Sequence, residues 1–70
     1  MSYRQLRKAY GYTVSQYLAD LGFHKDHIGR YANGDLVIYR SGLLWRAGNV
    51  LAGRQKDFWE VDEALDWLGY

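Results

Sequence analysis

The segment of residues 11–34 constrains the fold most, because it carries signals for two helices separated by a glycine. Thr13 and Gln16 have the spacing of a capping box, which marks the start of a helix. Gly22 stands where a left-handed residue commonly ends a helix. A second segment, residues 24–32, spaces apolar side chains three apart among polar ones. The sequence therefore predicts a helix, a glycine turn and a second helix, which is the layout of a helix-turn-helix motif.

The second of these segments also supports a different interpretation, a β-hairpin. Asn33-Gly34 is a dipeptide typical of two-residue hairpin turns, whose central residues need positive φ. In this alternative, residues 28–32 and 35–40 are paired strands and the second helix does not form. Gly29 favours the hairpin, since a glycine inside a helix costs about 1 kcal/mol relative to alanine. We take the helix as the prediction and keep the hairpin as the alternative.

Length and composition restrict the chain to one small domain without covalent cross-links. Seventy residues leave room for a single core, and no cysteine is present to form a disulfide or a thiolate metal site. No apolar run is long enough to span a membrane, and the N-terminus lacks the apolar core of a signal peptide. We therefore expect a cytoplasmic protein without a membrane partner.

The formal net charge of +1 hides an asymmetry along the chain. Residues 1–56 hold all nine Lys and Arg against three Asp, whereas the last fourteen residues hold five acidic residues and no base. A basic body suits a polyanionic partner, from which the acidic C-terminal segment would face away.

The remaining segments complete an α+β prediction for a small single domain of all seventy residues. Residues 2–10 place apolar side chains on one helix face and basic ones on the other. Two β-rich runs follow the Asn-Gly pair, and a short further strand is expected near residues 50–51. Asp57 is the expected N-cap of a last helix with an apolar stripe. The predicted order is N-terminal helices of helix-turn-helix type, a β-hairpin and a C-terminal helix, at about residues 2–33, 35–47 and 58–68.

The side chains that could serve in catalysis or metal binding lack a recognised spacing. His24 and His27 lie three apart, as in some metal-binding helices, but no further His or Cys completes a ligand set. The serines have no neighbouring base in sequence, and no glycine-rich phosphate loop is present. We therefore expect no enzyme activity, no catalytic residue, no metal and no cofactor.

Basic residues are the strongest candidates for a binding site. On the predicted second helix, Lys and Arg would face guanine edges or phosphates, and neutral His could bond either way. The arginines of the hairpin could hold adjacent phosphates as a wing does. The candidate nucleic-acid-binding residues on these two elements are His24, Lys25, His27, Arg30, Arg40 and Arg46.

Residues 3–34 resemble the helix-turn-helix of the phage repressor and Cro family, also called the Xre type. The matching residues are Leu6, Arg7, Gly11, Tyr12, Thr13, Leu21, Gly22, Phe23, Ile28, Arg30, Tyr31, Asn33 and Gly34. The chain departs from the family at three positions. Leu18 stands where a small residue, usually Ala, lets the two helices of the motif pack together. Val14 replaces a usual polar Gln that contacts DNA, and Gly29 weakens the reading helix.

The resemblance implies roles for individual residues. Lys25, His27 and Arg30 would face base edges in the major groove. Arg7 and Thr13 would approach phosphate.

These features favour a small DNA-binding transcriptional regulator of phage or mobile-element type. It would bind double-stranded DNA without catalysis, and a homodimer would read two half-sites about one helical turn apart. The alternative is a small phage-encoded inhibitor of a host protein, such as an anti-defence protein of the anti-CRISPR kind, or an adaptor. That role would use an aromatic and arginine-rich sheet face or the acidic C-terminal helix. A structural module of a larger assembly is a third option.

Overall fold

A five-stranded antiparallel sheet forms the centre of the chain in the computed structural model, which describes residues 2–70. Two short helices precede the strands in sequence and one follows them. Consecutive strands are neighbours, so the order in the sheet is the order in the chain. The elements are α1 (Tyr3–Tyr10), α2 (Val14–Asp20), β1 (His24–Lys25), β2 (Tyr31–Asn33), β3 (Leu36–Ser41), β4 (Leu44–Asn49), β5 (Arg54–Phe58) and α3 (Val61–Leu68).

This architecture corrects the predicted fold. The prediction of helix-turn-helix-like N-terminal helices, one hairpin and a last helix is wrong, because residues 24–33 extend the sheet. The capping box at the start of α2, a local feature of the prediction, is confirmed. Thr13 Oγ1 accepts a hydrogen bond from the Gln16 backbone N–H at 3.1 Å, and Gln16 Oε1 accepts one from the Thr13 N–H at 2.9 Å. The predicted capping box therefore starts α2.

Asp26 keeps residues 24–32 from forming the predicted second helix. Its Oδ1 accepts hydrogen bonds from the backbone N–H groups of Ile28 at 3.0 Å and Arg30 at 2.9 Å. These bonds close a turn between β1 and β2, using donors that a helix would direct to backbone carbonyls. Gly29 completes the turn with a φ of +87°, which departs from the helical path. The hairpin alternative is therefore the better interpretation, although β2 is shorter than the strand it proposed.

The two tight hairpin turns use glycine at their first central position. Gly34-Asp35 joins β2 to β3, and Gly42-Leu43 joins β3 to β4. The two glycines have φ of +61° and +64°, as the first central residue of a type II′ turn requires. Asn33 ends β2 and does not have a positive φ, so the Asn-Gly turn is displaced by one residue from its predicted place.

Two expectations for the C-terminal third are also wrong. Residues 50–51 lie in a turn, and the strand is β5 instead. Asp57 belongs to β5, whereas Glu60 is the N-cap of α3 and donates its backbone N–H to Glu63 Oε1 at 3.2 Å. The sequence of β5, RQKDF, has one apolar residue and no alternation, so its strand forms through backbone pairing with β4.

The core lies between one face of the sheet and the helices. Alternate residues of β3 and β4 point into it, with Ile38 paired to Ala47. The opposite face carries Tyr39, Arg46 and Gln55, because side chains alternate along each strand. The buried core residues are Leu18, Phe23, Ile38, Trp45, Ala47, Val61, Ala64 and Leu65.

Helix α1 is held at its N-terminus and not by buried side chains. None of its residues is buried. Asp62 of α3 accepts hydrogen bonds from the backbone N–H groups of Tyr3 at 2.8 Å and Arg4 at 3.1 Å. A carboxylate in this place satisfies donors that the first turn leaves unpaired and complements the helix dipole. The ring of Tyr3 also contacts that of Tyr17, with centroids 5.6 Å apart.

Replacing Asp62 with alanine should loosen α1 while the sheet stays folded. We expect a loss on the order of 1 kcal/mol, because the two N–H groups lose a charged acceptor. Hydrogen exchange should therefore become roughly fivefold faster in α1 and stay unchanged in β3 and β4. Asp66→Ala is the control, since its side chain forms no hydrogen bond within residues 2–70. Equal acceleration throughout the chain would contradict this role of Asp62.

Candidate functional site

A cleft of about 470 Å³ opens between α1, the start of α2, the β3–β4 hairpin and the connection from β5 to α3. The residues that matter most for its chemistry are two arginines and four aromatic residues: Arg7, Arg40, Tyr3, Tyr12, Trp45 and Trp59. Elements distant in sequence supply them, so only the folded chain forms the cleft.

Arg40 is fixed at the cleft by the ring of Trp45. The two residues are directly opposite each other on β3 and β4. The guanidinium carbon of Arg40 lies 5.1 Å from the Trp45 ring centroid, in a cation–π contact. One terminal nitrogen donates to the carbonyl oxygen of Gly42 at 3.4 Å, and Arg40 forms no ion pair with any residue from 2 to 70. The side chain is therefore oriented but electrostatically unmatched.

Trp59 presents a large apolar surface beside these arginines. It lies between the end of β5 and the N-cap of α3, and its exposed fraction is 71%. Trp45, in contrast, is 9% exposed and belongs to the core. An exposed tryptophan that lines a cleft is a typical contact residue for a binding partner.

The charge of the cleft is positive. Arg7 lies in the last turn of α1 and forms no ion pair within the described part of the chain. Glu60 is the carboxylate that lines the cleft, and its Oε1 is 3.4 Å from the terminal nitrogen of Arg4. The cleft is therefore lined by the guanidinium groups of Arg7 and Arg40, which have no ion pair in residues 2–70, and by one carboxylate, Glu60, which is paired with Arg4.

Comparison of the chain with known protein families, with curated proteins and with solved structures found no match. The resemblance of residues 3–34 to the phage repressor family thus rests on the sequence pattern alone.

The structure divides the predicted nucleic-acid-binding residues among three places. Three of them, Arg7, Thr13 and Arg40, line the cleft. Four belong to β1 and the turn that follows it, namely His24, Lys25, His27 and Arg30. Arg46 lies on the other face of the sheet. The residues expected to read base edges are therefore on a short hairpin, with no helix to carry them into a groove.

Several of these residues already have partners. Thr13 caps α2 through its hydroxyl oxygen. Arg30 Nε is 3.3 Å from Asp26 Oδ2, and the ammonium of Lys25 lies 5.8 Å from the Tyr31 ring centroid. These interactions reduce the number of basic groups that remain for a ligand.

Arg46 and Asp57 form the best-defined ion pair of the chain. Arg46 Nε is 2.8 Å from Asp57 Oδ1, and its terminal nitrogen is 3.2 Å from Oδ2. The hydrogen bonds from Arg46 lower the pKa of Asp57, and the hydrogen bond to Asp57 raises the pKa of Arg46, as does a smaller contribution from Tyr39. Arg46 is thus matched within the protein, unlike Arg40.

The Asp26 turn predicts a specific pH dependence of stability. The pKa of Asp26 lies below its ordinary value of 3.8, chiefly because the carboxylate accepts a hydrogen bond from the Arg30 backbone N–H. A lowered pKa in the folded state stabilises the fold above the unfolded pKa, and this contribution is lost as pH falls below it. Asp26→Asn keeps an oxygen acceptor but cannot titrate.

We therefore expect the urea midpoint of Asp26→Asn to fall less than that of the wild type between about pH 7 and pH 3. Asp35→Asn is the control, since the Asp35 side chain forms no hydrogen bond in the described residues. An acid dependence of Asp26→Asn as steep as that of the wild type would contradict the assignment.

Within residues 2–70, no three His, Cys, Asp or Glu side chains converge as metal ligands. No helix in the same range is long and apolar enough to cross a membrane.

Sequence reasoning missed the aromatic half of the cleft. Trp45 and Trp59 are 14 residues apart in the chain, and neither belongs to a recognised binding motif. One signal was available for Trp59, which falls outside the apolar stripe of the last helix and therefore has no core position to fill.

Proposed function

We propose that this chain is a small protein-binding module that works through the aromatic and arginine cleft. The observation that carries the proposal is Trp59, which is 71% exposed and lines the same cleft as Arg7 and Arg40. Tryptophan, tyrosine and arginine dominate the energetics of protein interfaces, because they bury large areas and also form hydrogen bonds. The module acts by occupying a surface of its partner, as an inhibitor or an adaptor does.

The dimensions of the cleft support a contact with a few side chains. A volume of about 470 Å³ is within the range of pockets that enclose small ligands. One aromatic or aliphatic side chain of a partner could pack on Trp59 while its neighbours meet the arginines. The cleft would then hold the centre of an interface, with the surrounding surface as its rim.

Two observations favour a protein partner over double-stranded DNA. The helix that would enter a major groove is absent from residues 24–33. Arg30 and Arg46 are paired with Asp26 and Asp57, so they offer less to phosphates than the sequence suggests.

Selection from a display library of random peptides tests the proposal. The immobilised chain is the target, and Trp59→Ala is the counter-target. We expect enriched peptides that bind the wild type and not the variant. The absence of enrichment, or peptides that bind both proteins equally, would contradict a binding function of this cleft. Duplex DNA that binds at low salt with the wild type and not with Trp59→Ala would replace the proposal by a DNA-binding function.

A further inference from the structure

We propose that the segment bound by the cleft is acidic, with a carboxylate that Arg40 receives and an apolar side chain that packs on Trp59. This inference rests on the proposed protein-binding function and specifies the chemistry of the partner. Arg7 adds a second positive charge to the lining of the cleft. An acidic peptide is therefore the occupant to which the cleft is electrostatically complementary.

The geometry of Arg40 is that of a prepared carboxylate receptor. A guanidinium group has five N–H donors, and in Arg40 one terminal nitrogen has an acceptor within residues 2–70, the Gly42 carbonyl oxygen at 3.4 Å. The guanidinium carbon lies over the Trp45 ring, 5.1 Å from its centroid. The other N–H donors of the group lie in the guanidinium plane, which is the geometry that binds a carboxylate in a bidentate way. Because stacking already orders the side chain, binding costs less conformational entropy.

The chain contains an example of the contact that Arg40 lacks. Arg46 binds Asp57 with two hydrogen bonds of 2.8 and 3.2 Å. Both arginines extend from the β3–β4 hairpin, on opposite faces of it. Arg46 has its carboxylate on the neighbouring strand, whereas Arg40 lies beside an open cleft. A carboxylate supplied by another polypeptide would complete the same pairing at Arg40.

The charges around the cleft favour an acidic peptide over a nucleic acid. Glu60 lies 3.4 Å from Arg4, so Arg4 balances its charge and the two lining arginines leave the surroundings of the cleft net positive. A nucleic acid strand would need a row of phosphate contacts and successive stacking platforms. The cleft offers two arginines without an ion pair in residues 2–70 and, among its aromatic residues, one that is largely exposed, Trp59. A peptide with one or two carboxylates and one apolar side chain is complementary to these two arginines and Trp59.

Charge reversal tests the inference with a matched control. Arg54 is also stacked on a tryptophan, with its guanidinium carbon 5.1 Å from the Trp67 ring centroid, and it lies outside the cleft. Peptides selected against the wild type should be enriched in Asp and Glu next to apolar residues. Arg40→Glu should weaken their binding about ten- to hundredfold, since a charged hydrogen bond is lost and repulsion is added. Arg54→Glu should leave it unchanged.

A compensating exchange completes the test. Lysine in place of the critical acidic residue of the peptide should restore binding to Arg40→Glu and abolish binding to the wild type. Peptides that depend on Trp59 but lack acidic residues, or that bind Arg40→Glu as well as wild type, would overturn the inference and leave the proposed function intact. Failure to select any peptide would instead defeat the proposed function. Binding of oligothymidylate that requires Trp59 and Arg40 would overturn both.

Discussion

Leu18→Ala should lower the free energy of unfolding by about 2–5 kcal/mol, the usual cost of removing a buried leucine side chain. Leu18 is fully buried, and it belongs to the cluster formed with the sheet residues Ile38 and Ala47. Small domains have total stabilities toward the lower end of about 5–15 kcal/mol. This single change should therefore remove a large part of the stability of the chain. Urea unfolding followed by circular dichroism measures the effect.

This substitution separates the observed fold from the one predicted. In the phage repressor type of motif, a small residue at this position lets two helices pack, so alanine would be tolerated or favoured there. In this chain a strand follows α2 in place of the second helix of the motif. Leu18 of α2 therefore belongs to the core cluster that includes the sheet residues. Leu51→Ala is the control with the same chemistry, because Leu51 is 80% exposed in the β4–β5 turn and should change stability by less than about 0.5 kcal/mol. Equal stability of the two variants would contradict the core described above.

Trp59→Ala should weaken binding of peptides selected on the wild type without the counter-target by about 30-fold or more, which corresponds to the loss of an interface hot spot of about 2 kcal/mol. The same change should alter stability by less than about 0.5 kcal/mol, because the side chain is largely exposed in the free protein. Fluorescence anisotropy of a labelled peptide gives the affinity, and urea unfolding gives the stability.

The informative part of this result is that Trp59→Ala should weaken peptide binding while the stability of the fold stays nearly unchanged. Leu51→Ala again serves as the control, since it removes an exposed apolar side chain outside the cleft. Binding that falls equally in both variants would indicate a nonspecific apolar contact. A Trp59→Ala variant that unfolds would instead assign Trp59 to the core.

Local signals in the sequence were sufficient for α2 but not for the segment after it. The Thr13–Gln16 capping box forms entirely within one turn, so its residues determine the outcome by themselves. In residues 24–32 two local signals compete. The spacing of Ile28 and Tyr31 suggests a helix, whereas Asp26 closes a turn that pairs β1 with β2. The extended form is favoured by the Asp26 turn together with the pairing of β2 with β3, which the spacing of apolar residues does not reveal.

The sequence did not reveal strand β5 or the cleft, because both depend on contacts between separate elements of the fold. A strand of polar residues has no periodic pattern, and it forms because β4 provides a partner along its whole length. Three predicted site residues, Arg7, Thr13 and Arg40, do line the cleft, but their sequence positions alone do not bring them to one cleft with Trp59. Which cations remain unpaired depends on contacts across the sheet, such as the Arg46–Asp57 ion pair.

The most direct test of the proposed binding function is an NMR titration of the wild-type chain with a selected acidic peptide. We predict that the indole N–H signal of Trp59 and the amide signals of Arg7 and Arg40 shift with a single saturable dependence on peptide concentration. The opposite result would be a titration in which these signals stay in place while those of the other sheet face, such as Tyr39 and Gln55, move. That outcome would contradict the assignment of the cleft as the binding site.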